Sequence, residues 1–154
     1  MERISTFEQL DDLMTKLHDC PFDLKQSSFD KMSGVWSGVF LRPLWDHPRV
    51  ERHGVSPLYL KTQLPVVEAT IKFAGVQNVE VVDDQGIDIY TFNEIERGSN
   101  GVRLLSNQAM QIKLDLLAPI SATYDEKPLP GLRAIYRQFL LVQSGPEIAT
   151  VLED

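Results

Sequence analysis

The sequence has few of the features that mark a secreted or membrane protein. Its single cysteine, Cys20, cannot form an internal disulfide, and no Asn-x-Ser/Thr acceptor for N-glycosylation is present. No apolar run is long enough to span a bilayer, and the polar start at Met1 has no apolar leader segment. We therefore expect a cytoplasmic protein in which Cys20 packs into the core, as free cysteines usually do.

The motifs of common catalytic and nucleotide-binding sites are also missing. The sequence has no G-x-S-x-G, G-x-x-x-x-G-K-S/T, G-x-G-x-x-G, H-E-x-x-H or Cys-x-x-Cys motif. Its three histidines, His18, His47 and His53, show no spacing that predicts the three or four converging ligands of a metal site. The sequence therefore predicts no catalytic residue, no metal and no cofactor.

Basic residues are in the minority. There are 15 Lys and Arg against 22 Asp and Glu, which gives a net charge of −7. A negative protein repels a phosphate backbone and an anionic membrane surface, so we expect neither a nucleic acid nor a membrane as partner. The same charge is compatible with a basic protein partner, and equally with a role in solubility alone.

An amphipathic helix is predicted from about Thr6 to Leu17. Ser5 followed by Glu8 fits a capping box at its start. Its apolar side chains recur at helical spacing and form one face, which needs a sheet to cover it. These residues are Phe7, Leu10, Leu13, Met14 and Leu17.

The region from Val66 to Tyr124 reads as a β-meander, because apolar and polar residues alternate in runs separated by turn residues. Short connections favour antiparallel pairing. We predict one α+β domain, residues 1–154, built mainly from an antiparallel meander with the amino-terminal helix on one face. Curling of the sheet into a half-barrel or sandwich is left open. The predicted strands are 22–32, 35–41, 58–64, 66–74, 76–82, 87–95, 102–106, 109–117 and 120–124.

A long irregular loop is predicted between Pro43 and Pro57, and it contains Trp45, His47 and His53. Loops of this length in compact domains are usually functional or disordered. An aromatic side chain in such a loop can anchor a partner. The alternative is that Trp45 packs back onto the sheet, since most Trp surface is buried in folded proteins.

The carboxyl-terminal part gives mixed signals. Pro128 and Pro130 predict a loop from Asp125 to Gly131, and Leu132 to Val142 fits either a helix or a buried strand. The segment from Pro146 to Glu153 is predicted as a short helix that begins at its proline.

His18 and Asp19 form a second candidate site. A histidine beside an acid can be held in one tautomer and act as a base, which would suit a pocket between sheet and helix. Against this, neighbouring residues on a strand point to opposite faces, so the two side chains need not meet.

Three sequence features resemble those of small uncharacterised bacterial β-rich domains, including immunity-type proteins of toxin systems. They are Leu17-His18-Asp19, Ile71-Lys72-Phe73-Ala74-Gly75-Val76 and the meander that follows, and the resemblance covers His18 to Tyr124. It implies a module that works by binding a protein and has no catalytic residues.

We therefore expect a non-enzymatic protein-binding module. An immunity-type inhibitor of a basic partner is one form that such a module takes. The alternative is a small-molecule-binding or hydrolytic domain. The candidate contact residues are Trp45, His47, His53, His18 and Asp19.

Overall fold

The computed structural model describes residues 1–47, 49–56 and 58–151. Within them it contains one helix and eleven strands, with antiparallel strand pairing, which confirms the predicted α+β class. In chain order the elements are β1 (Glu2–Ile4), α1 (Phe7–Lys16), β2 (Pro21–Asp30), β3 (Val35–Pro43), β4 (Glu51–Ser56), β5 (Tyr59–Phe73), β6 (Val76–Asp83), β7 (Ile89–Arg97), β8 (Gly101–Ser106), β9 (Met110–Leu116), β10 (Ala122–Phe139) and β11 (Val142–Thr150).

The chain divides into two compact units. The first consists of Met1–Leu41 and Ala69–Glu126, and the second of Arg42–Glu68 and the described part of Lys127–Asp154. β3, β5 and β10 contribute residues to both units. The main cluster of buried hydrophobic side chains lies wholly in the first unit. A single domain over residues 1–154 stays a prediction.

The cap of α1 lies one residue beyond the predicted position. The Thr6 hydroxyl accepts a hydrogen bond from the Gln9 amide at 3.2 Å, and the Gln9 side-chain oxygen accepts one from the Ser5 amide at 3.0 Å. The predicted box of Ser5 and Glu8 was wrong because Thr6 is an equally good capping residue and a glutamine stands three positions after it. The apolar face is confirmed, and its buried residues include Leu10, Leu13 and Met14, with β7 beneath the helix.

Six strands with residues in the first unit are neighbours in the order β3, β2, β7, β8, β9, β6. β7, β8 and β9 are successive antiparallel neighbours, as a meander predicts. β6 pairs with β9 rather than with β7, its neighbour in sequence. The four strands β6, β7, β8 and β9 therefore form a Greek key. The alternation of apolar residues identifies a strand but not its partner, which is why the sequence misplaced β6.

The core of the first unit is aromatic where β2, β3 and β7 meet. The ring of Phe40 lies 4.9 Å from that of Phe22 and 5.2 Å from that of Phe92. Cys20 is buried beside them in the same cluster, which confirms its expected packing role.

The predicted loop between Pro43 and Pro57 contains a strand, because β4 pairs with β5. The predicted break at Pro65 was also wrong, since β5 runs through it. The Pro65 carbonyl accepts a hydrogen bond from the Leu44 amide at 2.9 Å, and a strand can pass through proline wherever its missing N–H is not needed. Pro57 itself lies outside the described residues.

The carboxyl-terminal segments are strands. Residues 125–131 belong to β10 despite Pro128 and Pro130. The ambiguous segment from Leu132 to Val142 is extended up to Phe139, turns at Leu140 and Leu141, and enters β11 at Val142. β11 replaces most of the helix predicted from Pro146, whose last residue, Glu153, lies outside the described residues. Pairing with β10 supplies ladder hydrogen bonds along the segment, whereas an isolated short helix is marginal.

Candidate functional site

His18 and Asp19 lie in the turn that follows α1, not on a strand, and their side chains do meet. His18 Nδ1 is 2.6 Å from the Asn93 carbonyl oxygen, and His18 Nε2 is 3.5 Å from Asp19 Oδ1. Asp19 adopts a left-handed backbone with φ of 64°, and its amide donates to the Phe92 carbonyl at 2.8 Å. Neighbouring side chains point to opposite faces only on a strand. His18 and Asp19 lie in a turn with a positive φ at Asp19, so their side chains can approach each other.

Trp45 combines the two alternatives that the sequence left open. Its ring lies 4.6 Å from the ring of Tyr136 on β10, yet 45% of the residue is exposed. Part of the Trp45 side chain therefore packs against Tyr136, and the rest is exposed.

His47 and His53 serve local structure. His47 Nδ1 accepts a hydrogen bond from the Arg49 amide at 3.1 Å, and His53 Nε2 lies 3.4 Å from Glu51 Oε2 on the same face of β4. Both histidines belong to the second unit with Trp45, whereas His18 and Asp19 belong to the first.

The part of the chain that the structure describes contains no group of three or more His, Cys, Asp and Glu side chains placed to hold a metal ion. Nor does it contain a helix with the length and apolar character needed to cross a membrane.

The most exposed apolar surface is one that the sequence did not single out. Phe139, Leu140, Leu141 and Val142 form the turn between β10 and β11, and the Leu140 amide donates to the Leu58 carbonyl at 2.8 Å. We call Leu58 and these four turn residues the apolar tip. All are more than half exposed, and Leu141 is 96% exposed.

The sequence missed the tip because an unbroken apolar run normally predicts burial. Two-residue hairpin turns usually carry Asn-Gly or Asp-Gly, and neither pair is present here. Leu140 instead adopts a φ of 55°, a conformation that costs a leucine roughly 1–2 kcal/mol.

A shallow cavity of about 300 Å³ adjoins the tip in the second unit. It is lined by residues of β4, around the start of β5, at the end of β10 and in the β10–β11 turn. Its lining residues are Gly54, Ser56, Leu58, Tyr59, Leu60, Gln138 and Leu140.

An ion pair links β10 and β11 next to the apolar tip. Arg137 on β10 lies 2.5 Å from Glu147 on β11, and this hydrogen bond raises the pKa of the Arg137 guanidinium. The two side chains thus link β10 and β11 below the turn, at an exposed position.

A polar cleft of about 540 Å³ lies in the first unit, near the turn between β7 and β8. Arg97 at its wall stacks over the ring of Phe7, 4.7 Å from the centroid, and Asp115 lies 3.5 Å from the Asn78 amide nitrogen. His18 and Asp19 are not among its lining residues, so the structure does not place the predicted histidine–acid pair at this cleft.

The negative charge belongs to one unit. The first unit holds 8 basic and 16 acidic residues, a formal charge of −8, and the second holds 7 basic and 6 acidic, a charge of +1. The acidic character seen in the sequence is thus a property of the first unit, while the apolar tip belongs to the second.

No family model, curated protein or solved structure matches this chain.

Proposed function

We propose that this chain is a non-enzymatic protein-binding module and that the apolar tip is its principal contact surface. The observation that carries the proposal is the tip itself, where four consecutive apolar residues project at a hairpin turn and a fifth, Leu58, lies beside them. Exposed apolar side chains gathered in one patch are typical of protein contact sites.

The energetics of the tip support this role. Full burial of a leucine- or phenylalanine-sized side chain contributes about 1.5–3 kcal/mol, so covering the tip would yield a substantial binding energy. Folding of the chain gains little from these side chains, because they stay exposed. A partner with an apolar pocket would cover what the fold leaves open.

The charge of the first unit supports a basic partner. Its net −8 attracts positive proteins over distances of about a Debye length, which speeds encounter and repels nucleic acid. An immunity-type inhibitor of a basic toxin is one biological form of such a module. Trp45, half exposed beside Tyr136, is a further contact residue.

The proposal extends to a bacterial, cytoplasmic protein. The chain has a single cysteine, which is buried, so it contains no internal disulfide, and this suits a reducing compartment. Right-handed twist between neighbouring strands favours curling of the sheet into a half-barrel or sandwich.

The polar cleft supports a second candidate function, the binding of a small molecule. Arg97 supplies a cation and Asp115 an anion to a space lined also by Asn78, Asn100 and Leu116. A ligand that binds only the folded protein raises its unfolding temperature. A metabolite screen with wild type and Arg97→Ala tests this, and the absence of any wild-type shift would reject it.

The proposed protein partner is tested by capture from a lysate of the source organism. Wild type, Leu141→Ser and Met32→Ser are immobilised separately, and retained proteins are identified by mass spectrometry at low and moderate salt. Met32 is the matched control, since it is 99% exposed in the first unit.

We expect a basic protein to be retained by wild type and Met32→Ser, less by Leu141→Ser, and less at higher salt. If wild type retains nothing, or all three baits retain the same proteins equally, the proposal is wrong.

A further inference from the structure

We infer that the free edge of β6 is a second binding site, which takes an extended basic segment of a partner protein as an added antiparallel strand. This inference rests on the proposed protein-binding function and names the kind of segment that the acidic unit recognises. Addition of a strand to an open sheet edge is a recurrent mode of peptide recognition.

β6 ends the strand order of the first unit. It pairs with β9 on one side, and among the described residues no strand pairs with its other side. Among the described residues, the backbone hydrogen bond that β6 makes outside its ladder with β9 is at its first residue, where the Val76 amide donates to the Gly34 carbonyl at 2.8 Å. The edge beyond Val76 is therefore open to a new strand.

The backbone groups at this edge can be assigned from one hydrogen bond. The Asp84 amide donates to the Ala109 carbonyl at 3.4 Å, which places Asp84 in a hydrogen-bonded pair at the end of the β6–β9 ladder. Bonded and non-bonded pairs alternate in antiparallel strands. The residues whose N–H and C=O groups point to the open edge are then Val79, Val81 and Asp83.

β6 has few of the devices that usually protect an edge strand. Its register with β9 shifts once, between Val76 and Asn78, and is unbroken from Asn78 to Asp83; the strand contains no proline and no lysine, and its charged side chains are acidic. β11, by contrast, contains Pro146 and faces a register shift in β10, and β4 has a shift between Gly54 and Ser56. β6 is thus the most regular long edge in the described part of the chain.

One face of β6 presents partly covered apolar side chains. Val79 and Val81 lie opposite Leu114 and Ile112, which are fully buried, yet Val81 is 46% exposed. Directly opposite residues share a face of the sheet. An added strand with apolar residues at alternate positions would continue this buried face beyond Val81.

The other face supplies the charge preference. A row of charged residues crosses four neighbouring strands on this face. In order, it consists of Glu80 on β6, Lys113 on β9, Arg103 on β8 and Glu96 on β7. Arg103 and Glu96 already form an ion pair at 2.8 Å. The next position in this cross-strand row, beyond Glu80, therefore favours a basic side chain.

This charge also argues against a second copy of the chain as occupant. Two β6 strands side by side would bring together two copies of Glu80, Asp83 and Asp84, and like charges on adjacent strands are destabilising. The segment that fits alternates apolar and basic residues and comes from a different protein.

The first test uses a heptapeptide of alternating lysine and valine as probe and follows amide hydrogen exchange by NMR. We expect slower exchange at Val79, Val81 and Asp83 when the peptide binds, with little change on β11. Two control peptides replace lysine with glutamate, or methylate the backbone nitrogens that face β6. Neither should protect these amides, since the first reverses the charge and the second removes the ladder donors.

The second test uses edge variants of the full chain. Val81→Pro removes an N–H that points to the open edge and leaves the neighbouring bonds to β9, so the fold should persist by thermal unfolding while peptide affinity falls at least about tenfold. Glu80→Lys should weaken binding similarly. Asp12→Lys on α1 makes the same change in net charge away from the edge and should have a much smaller effect.

Three outcomes would overturn the inference: no peptide binding, equal binding of the methylated peptide, or equal binding by Val81→Pro. These outcomes leave the proposed function standing if the immobilised wild type still captures a basic protein through its apolar tip. A wild type that captures no protein rejects the proposed function, whatever the peptide does.

Discussion

The Leu140 amide donates a hydrogen bond to the Leu58 carbonyl at 2.8 Å, and this contact holds the turn of the β10–β11 hairpin beside the start of β5. It brings Leu58, distant in sequence, to the run from Phe139 to Val142 and so completes the apolar tip. Leu140 holds a φ of 55° at the same point. A leucine in this conformation at an exposed turn costs stability.

Leu140→Gly should stabilise the protein. Glycine adopts positive φ freely, so the substitution relieves the backbone penalty and should raise the free energy of unfolding by up to about 1 kcal/mol. Urea unfolding measures the change. The matched control is Leu141→Gly, at a position without positive φ, which should be neutral or destabilising. Loss of stability in Leu140→Gly would contradict the assigned backbone conformation.

Gly101→Ala should be strongly destabilising. A Cβ atom at Gly101 would lie 1.9 Å from the Leu114 carbonyl oxygen on β9, and neither strand can move without breaking the ladder. We expect a loss of at least about 2 kcal/mol in urea unfolding.

Gly98→Ala is the control for this substitution, because the nearest atom to its added Cβ would be at 3.5 Å, an ordinary contact. Equal stability of the two variants would show that β8 and β9 are not as close at Gly101 as described.

Thr6→Ala should cost about 1 kcal/mol of stability, since it removes the side chain that caps α1. Ser5→Ala should cost only about a few tenths of a kcal/mol, because it removes an exposed 3.3 Å bond from the Ser5 hydroxyl to the Gln9 side-chain oxygen but keeps the Ser5 amide, which donates to the same oxygen at 3.0 Å. Thermal unfolding of both variants ranks the two residues. A larger loss in Ser5→Ala would restore the cap that the sequence predicted.

Asp30 should make stability depend on pH. Hydrogen bonds from the Ser33 hydroxyl and from the Met32 and Ser33 amides lower the pKa of its carboxyl group in the turn after β2. A carboxyl whose pKa is lower in the folded state stabilises the protein above its unfolded pKa of about 4, and this stabilisation is lost as pH falls through the folded value.

Asp30→Ala should therefore lower the urea midpoint at pH 7, and the difference from wild type should narrow near pH 3. A difference that stays constant across this range would contradict the lowered pKa.

The sequence predicted local structure well where one signal was sufficient. The helix face with Leu10 and Leu13, the strands β7 to β9 and the burial of Cys20 all follow from the periodicity or from the usual environment of the residue. Their turns carry glycine or asparagine, so the ends of these strands were also close to those predicted.

Pairing over long sequence separations could not be read in the same way. β6 lies beside β9, and β10 continues through Pro128 and Pro130 because its partners supply the ladder hydrogen bonds. Proline and alternation report on one strand at a time. The partner depends on contacts between residues far apart in the chain.

The candidate site was predicted only in part. Trp45 was identified because an aromatic residue in an irregular segment is a recognisable signal, and its contact with Tyr136 needed the fold. The apolar tip was missed because Phe139 to Val142 resembles a core strand in sequence. Only the exposed position of the turn, with Leu141 at its end, distinguishes this run from a core segment.

Whether the apolar tip contacts a protein partner is decided by the affinity of the captured partner for wild type, Leu141→Ser and Met32→Ser. Biolayer interferometry compares the three affinities at one salt concentration. Because Leu141 is 96% exposed, its substitution should leave unfolding stability within about 0.5 kcal/mol of wild type. Burial of Leu141 in the partner predicts at least about tenfold weaker binding for Leu141→Ser and an unchanged affinity for Met32→Ser. Equal affinities for all three proteins would show that the apolar tip is not the contact surface.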